Sequence, residues 1–172
     1  DLSTAPVVIR TERETELRNW IAAWCSQHAR GRFVIPQEDE LPDAKRPDLR
    51  WTCSTFPGAV PTELKIADNW TGPELFERLQ GQLAGDYLRD QASSRGIYLL
   101  VWRGAKKKRW QLPDSLSVDF STRVDFSTLV DALQSHGTHV AADHPGIEEI
   151  RVIGIDLTKR TRKTALAPPA EC

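Results

Sequence analysis

The sequence contains no methionine, and its first residue is Asp1. We therefore expect a single domain, residues 1–172, cut from a longer protein whose other domains supply part of the function. Cysteine is scarce: Cys25, Cys53 and Cys172 are the only three, and no two have CxxC spacing. That argues against a disulfide framework or structural zinc and points to a reducing, cytoplasmic setting. No apolar run approaches the 18 or so residues of a membrane span, so no membrane partner is expected. Neither sign of charge dominates. With 24 acidic and 23 basic side chains the net charge is -1, which excludes a uniformly basic nucleic-acid coat but leaves room for a local basic groove. The GxSxG, GxxxxGK[ST] and GxGxxG motifs are also missing, which argues against hydrolase-fold esterases, NTPases and dinucleotide enzymes.

What is present suits one globular domain. Forty per cent of the 172 residues are hydrophobic and 27% charged, and a chain of this length buries roughly 70% of its unfolded surface. Residues 11–29 carry Leu17, Trp20, Ile21, Trp24 and Cys25 at helical spacing, with Thr11 as a cap and acidic residues in the first turn. Trp20 and Trp24 read as core. Short strands follow at Arg32–Ile35, Leu49–Cys53 and Val60–Ala67, the last two joined through a Pro57-Gly58 turn. Thr71-Gly-Pro73-Glu74 opens a second helix running to about Asp90, with Pro73 suited to its first turn. The continuous run Ile97–Trp102 reads as a strand buried on both faces. Asp125–His136 is a third helix, and Ile150–Leu157 a last strand. Residues 159–172 are expected to form a flexible tail. The order α-β-β-β-α-β-α-β predicts an α/β fold: a mixed sheet flanked by helices.

The chemistry concentrates in Pro47-Asp48 and Glu63-Leu64-Lys65. Side chains alternate along a strand, so Glu63 and Lys65 share a face while Leu64 enters the core. Antiparallel pairing of the two strands brings Asp48 near Glu63. Two carboxylates at a sheet edge form a hard-oxygen site suited to Mg²⁺, and a neighbouring lysine can stabilise charge growing on a phosphate. The plainer readings stay open. Glu63 and Lys65 also suit a surface ion pair worth about 0.2–1 kcal/mol, and Asp48 after Pro47 also suits a turn.

These residues resemble the PD-(D/E)XK nuclease superfamily, whose restriction-endonuclease-like fold has an αβββαβ core; residues 11–103 supply that order, with the later helix and strand as peripheral additions. The resemblance implies Asp48, Glu63 and the Leu64 carbonyl as Mg²⁺ ligands, with Mn²⁺ able to substitute, and Lys65 as the catalytic lysine. It also implies a metal-facing glutamate on the first helix. Glu16, one turn before Trp20, is our choice, with Glu12 as the fallback. A Gln followed by a Tyr on the next helix is matched by Gln82 and Tyr87, although the spacing is Q-x4-Y instead of the common Q-x3-Y. Gln80 competes for the role, and Tyr87 suits the core as well as the site. The implied function is a metal-dependent endonuclease acting on DNA as the effector module of a larger protein, in bacterial defence for instance, and working as a homodimer as many relatives do. The alternatives are a catalytically inactive nuclease-fold module for nucleic-acid or protein binding, and an unrelated α/β interaction domain. Lys106, Lys107, Lys108 and Arg109, with Trp102 and Trp110 nearby, suit a nucleic-acid grip with base stacking or simply a solvated loop. Lys159–Lys163 is a similar run. His136, His139 and His144 read as solvated loop residues, and Trp70 as a wall of the cleft.

Overall fold

The computed structural model describes residues 13–35, 46–54, 56–89, 93–105, 109–113 and 123–158. Thr11, Glu12, Lys106, Lys107, Lys108 and the segment 159–172, for which the sequence raised expectations, lie outside these residues. The first helix, α1, spans Glu14–His28. Strand β1 (Leu49–Cys53) pairs antiparallel with β2 (Phe56–Ile66). A 3₁₀ turn, Ala67–Asn69, then leads to α2, Gly72–Arg78. A π-helical segment, Leu79–Tyr87, continues α2 directly. Strand β3 (Arg95–Trp102) follows, then the short strands β4 (Trp110–Gln111) and β5 (Arg123–Val124), helix α3 (Phe126–Asp143) and β6 (Glu149–Asp156).

The main sheet is mixed, in the order β1-β2-β3-β6. β2 and β3 are parallel, as are β3 and β6. The alternation of apolar residues divides the core between two faces. Leu64, Ile66, Leu99 and Val101 point one way and pack against Leu17 and Ile21 of α1. Tyr98, Leu100, Ile150 and Val152 point the other way, under α2, the π-helical segment and α3. Helices therefore cover both faces of an α/β sheet. β3 is buried on both sides, as its unbroken apolar run implies.

Several sequence expectations change. The strand expected at Arg32–Ile35 reduces to one bridge, Val34 to Thr52. Pro57-Gly58 lies inside β2. The register there jumps from Thr52–Ala59 to Cys53–Phe56, and Gly58 takes a positive φ of 81°, so the pair makes a bulge and not the turn. The last helix and strand are integral and not peripheral, because Leu129 and Leu133 of α3 and Ile150 of β6 are fully buried in the core. α3 also runs past His136 to Asp143, which places His136 and His139 on a helix and not in a loop.

Local signals explain the helix starts. Thr71 and Glu74 form a reciprocal capping box ahead of Pro73, and Asp125 caps α3 by accepting from Thr128 N–H. The outer edge of β6 is also engaged. The Gln134 amide donates to the Ile150 carbonyl and accepts from Val152 N–H, satisfying edge groups that would otherwise invite another strand. Among the described residues no helix is long and apolar enough to cross a membrane.

Candidate active site

β2 outruns its partner. β1 begins at Leu49, opposite Thr62, while β2 continues to Ile66. Past that point β2 presents backbone N–H groups with no strand beside them, and a buried N–H left unpaired is costly. Two carboxylates fill the gap. Asp48 Oδ2 accepts from Leu64 N–H at 2.9 Å. Glu14 Oε1, reaching from the first turn of α1, accepts from Ile66 N–H at 3.0 Å. Within one strand residue the N–H and C=O point to the same side, so the Leu64 carbonyl faces this edge too.

Glu63 and Lys65 lie on the opposite sheet face from Leu64. Both are buried, 1% and 5% exposed, and the Lys65 ammonium donates directly to Glu63 Oε1. Glu14 Oε2 stands 3.8 Å from the same ammonium. Glu63 Oε2 is buried with no hydrogen bond among the described residues. Burial, then the Asp48 charge, pushes the Glu63 carboxyl up to about 7; Lys65 and the nearby Tyr87 hydroxyl oppose the rise. Burial also raises the Asp48 carboxyl, against the Leu64 N–H bond and Lys65.

The π-helical segment supplies the far wall. Its hydrogen bonds run from residue i to i+5, as Leu88 N–H to the Leu83 carbonyl shows. Residues five apart thereby share a face, which an α-helix gives to residues four apart. Gln82 and Tyr87 are five apart, and Gln82 Nε2 donates to the Tyr87 hydroxyl at 2.8 Å. Tyr87 in turn donates to the Arg46 carbonyl at 3.0 Å, next to Pro47-Asp48. The Q-x4-Y spacing is thus met by a change of helix type. Gln80 is exposed and takes no part in this wall.

No family model, curated protein or solved structure matches this chain.

The structure therefore brings together Asp48, Glu63, Leu64, Lys65 and Gln82. It does not bring in Glu16, which is exposed on α1; Glu14 contacts the site instead. The first turn shows why. Glu14, Leu17 and Ile21 fall on one helical stripe, at i, i+3 and i+7, and Leu17 and Ile21 are the buried residues of α1. Glu16, Trp20 and Trp24 form a different stripe. Trp24 on it is 46% exposed, contrary to a core role, and stacks on Trp20 and His28.

Two further residues carry the site. Trp70 donates its indole N–H to Glu14 Oε1 at 2.8 Å and lies 5.2 Å beneath the Lys65 ammonium. It walls the site as expected, and it also couples Glu14 to Lys65. Asp68, buried in the 3₁₀ turn, accepts from Arg103 N–H at 2.9 Å and Ala105 N–H at 2.7 Å. Nothing in local spacing marks Asp68, because its partners are some 35 residues away. Its bonds tie the segment leading into the basic run to the turn just after the lysine strand. Arg109, at the end of that run, is exposed. Trp110 is buried to 1% exposure and donates to the Ala67 carbonyl, so it packs in the core instead of stacking bases. Trp102 packs edge-on against it.

The donor set suits a hard cation in part. It offers Asp48, the Leu64 carbonyl and the unpartnered Glu63 oxygen, and Mg²⁺ typically takes one or two carboxylates and keeps waters. Among the described residues no three His, Cys, Asp or Glu side chains converge as a complete cage, so water or substrate oxygens would have to complete the coordination shell.

Proposed function

We propose that this chain is a Mg²⁺-dependent nuclease domain of PD-(D/E)XK type that hydrolyses phosphodiester bonds in DNA as the effector module of a larger protein. One observation carries the reading: at the point where β2 outruns β1, Asp48, Glu63 and Lys65 meet, and Glu63 Oε2 is buried with no hydrogen bond among the described residues. A buried acceptor of that kind calls for a further partner, and a bound cation would be one. Asp48, Glu63 and the Leu64 carbonyl would hold the ion, and Mn²⁺ would serve in its place. When bound, the ion would polarise the phosphoryl oxygen and lower the pKa of a water. Lys65 would oppose the negative charge that grows on the phosphate. Glu14 and Trp70 keep the lysine in place from below, and Gln82 lines the approach.

A second reading, a catalytically inactive module that binds nucleic acid or protein, has one observation in its favour. Lys65 already neutralises Glu63 within the protein. Cleavage assays on single-stranded DNA, duplex DNA and RNA, with Mg²⁺ or Mn²⁺, separate the two. The nuclease reading expects wild-type cleavage that falls at least about 100-fold in Asp48→Asn and Lys65→Ala, as for loss of a principal catalytic group. Cleavage unchanged in both variants would refute the site. Nucleic-acid binding without cleavage would favour the inactive module.

A further inference from the structure

Beside the carboxylate site lies a cleft of about 410 Å³, lined by Arg46, Glu77, Arg78, Gly81, Gln82, Asp86 and Tyr87. Its size falls in the range of about 300–1,000 Å³ typical of small-molecule sites. Two chains of contact join it to the acidic residues. On one side Gln82 and Tyr87 lead to the Arg46 carbonyl, two residues before Asp48. On the other, the Arg78 guanidinium lies 5.3 Å over the same Trp70 ring that faces Lys65. A ligand in this cleft would therefore touch residues that themselves adjoin the reacting groups.

The lining has a mixed chemistry. Arg78 is exposed, and holding its planar guanidinium over Trp70 makes a surface of the kind on which nucleobases stack. Gln82 Oε1 is buried with no hydrogen bond among the described residues, so it can accept from an amino group of a ligand. The lining sets the carboxylates of Glu77 and Asp86 beside the guanidinium groups of Arg46 and Arg78. A phosphate alone would not call for acceptors, whereas a nucleobase edge carries both donors and acceptors. Gly81 leaves the room: a Cβ added there would meet no atom within 4 Å.

We propose that this cleft seats one unpaired nucleotide of the substrate strand, so that the domain takes single-stranded or frayed nucleic acid in preference to intact duplex. In a duplex the base is stacked and paired and cannot enter a cleft of this size without being extruded. The inference rests on the nuclease reading for the identity of the ligand, but binding and cleavage can be scored apart.

The test is fluorescence anisotropy in EDTA with a labelled single-stranded DNA oligonucleotide and its duplex form, using wild type, Gly81→Phe and Arg78→Ala. Gly81→Phe fills the cleft, and its melting temperature reports whether it folds; Arg78→Ala removes an exposed side chain. Single strand should bind about tenfold or more tightly than duplex, and each variant should lose about tenfold, the scale of one base stack. Equal or tighter duplex binding would overturn the inference, as would single-strand binding unchanged in Arg78→Ala and in folded Gly81→Phe. Single-strand binding with no cleavage in Mg²⁺ would leave the cleft assignment standing and remove the nuclease. Cleavage confined to duplex would do the reverse.

Discussion

Raising the pH from 4.5 to 8 without metal should cost the folded protein about 3 kcal/mol through Glu63 alone. In the unfolded chain a glutamate ionises near its ordinary 4.5, while in the fold Glu63 holds its proton up to about 7. Because the folded state binds the proton more tightly, the stabilisation is present at low pH, is lost as pH rises through the 4.5–7 window, and changes little above it. The elevation, taken at 1.36 kcal/mol per pKa unit, gives that magnitude. The same direction of shift at Asp48 adds to the trend. Urea unfolding of wild type and Glu63→Gln at half-unit pH intervals, in EDTA, isolates the effect, since the other titrating groups largely cancel between the two proteins. The stability of wild type relative to Glu63→Gln should fall by about 3 kcal/mol across the window and then level off. A difference that stays flat, or grows with pH, would refute the claim that burial dominates this carboxyl. Metal should act on the same proton. Mg²⁺ affinity should rise with pH up to about 7 and binding should release a proton, measurable by calorimetry in buffers of different ionisation heat.

Glu14→Ala removes the acceptor for Ile66 N–H and the Trp70 indole, and should destabilise by about 2 kcal/mol or more in chemical denaturation. Glu16→Ala should stay within about 0.5 kcal/mol. Leu129→Ala and Leu133→Ala should each cost about 2–5 kcal/mol, because both side chains are fully buried; losses under about 1 kcal/mol would return α3 to a peripheral role. Gly72→Ala would place a Cβ 1.7 Å from the Gln111 carbonyl oxygen. It should lower the melting temperature sharply, by more than about 2 kcal/mol of stability, and a neutral effect would refute the packing of α2 on β4.

Much of the fold was legible because it rests on local periodicity. Alternation along Glu63-Leu64-Lys65 placed Leu64 in one layer and the charged pair opposite, and the structure has that arrangement. The apolar run of β3 and the Thr71-Gly-Pro73-Glu74 start of α2 depend only on near neighbours. The roll of α1 did not. The spacing put Leu17, Trp20, Ile21, Trp24 and Cys25 on one apolar face, but only Leu17 and Ile21 are buried, Trp20 and Cys25 flank them, and Trp24 is exposed. The glutamate that contacts Lys65 is therefore Glu14, two residues before the expected Glu16. The stripe Glu14–Leu17–Ile21 was in the sequence, but only packing against Leu64 and Ile66 selects it.

Residue types and strand alternation thus establish that Glu63 and Lys65 share one sheet face, since this follows from covalent geometry. Where that face meets the rest of the chain is a matter of long-range pairing. The early end of β1 leaves the N–H groups of Leu64 and Ile66 for Asp48 and Glu14, the π-helical backbone aligns Gln82 with Tyr87, and Asp68 fastens a segment some 35 residues away. These contacts satisfy buried polar groups across the fold, a demand that arises only once the chain has closed on itself.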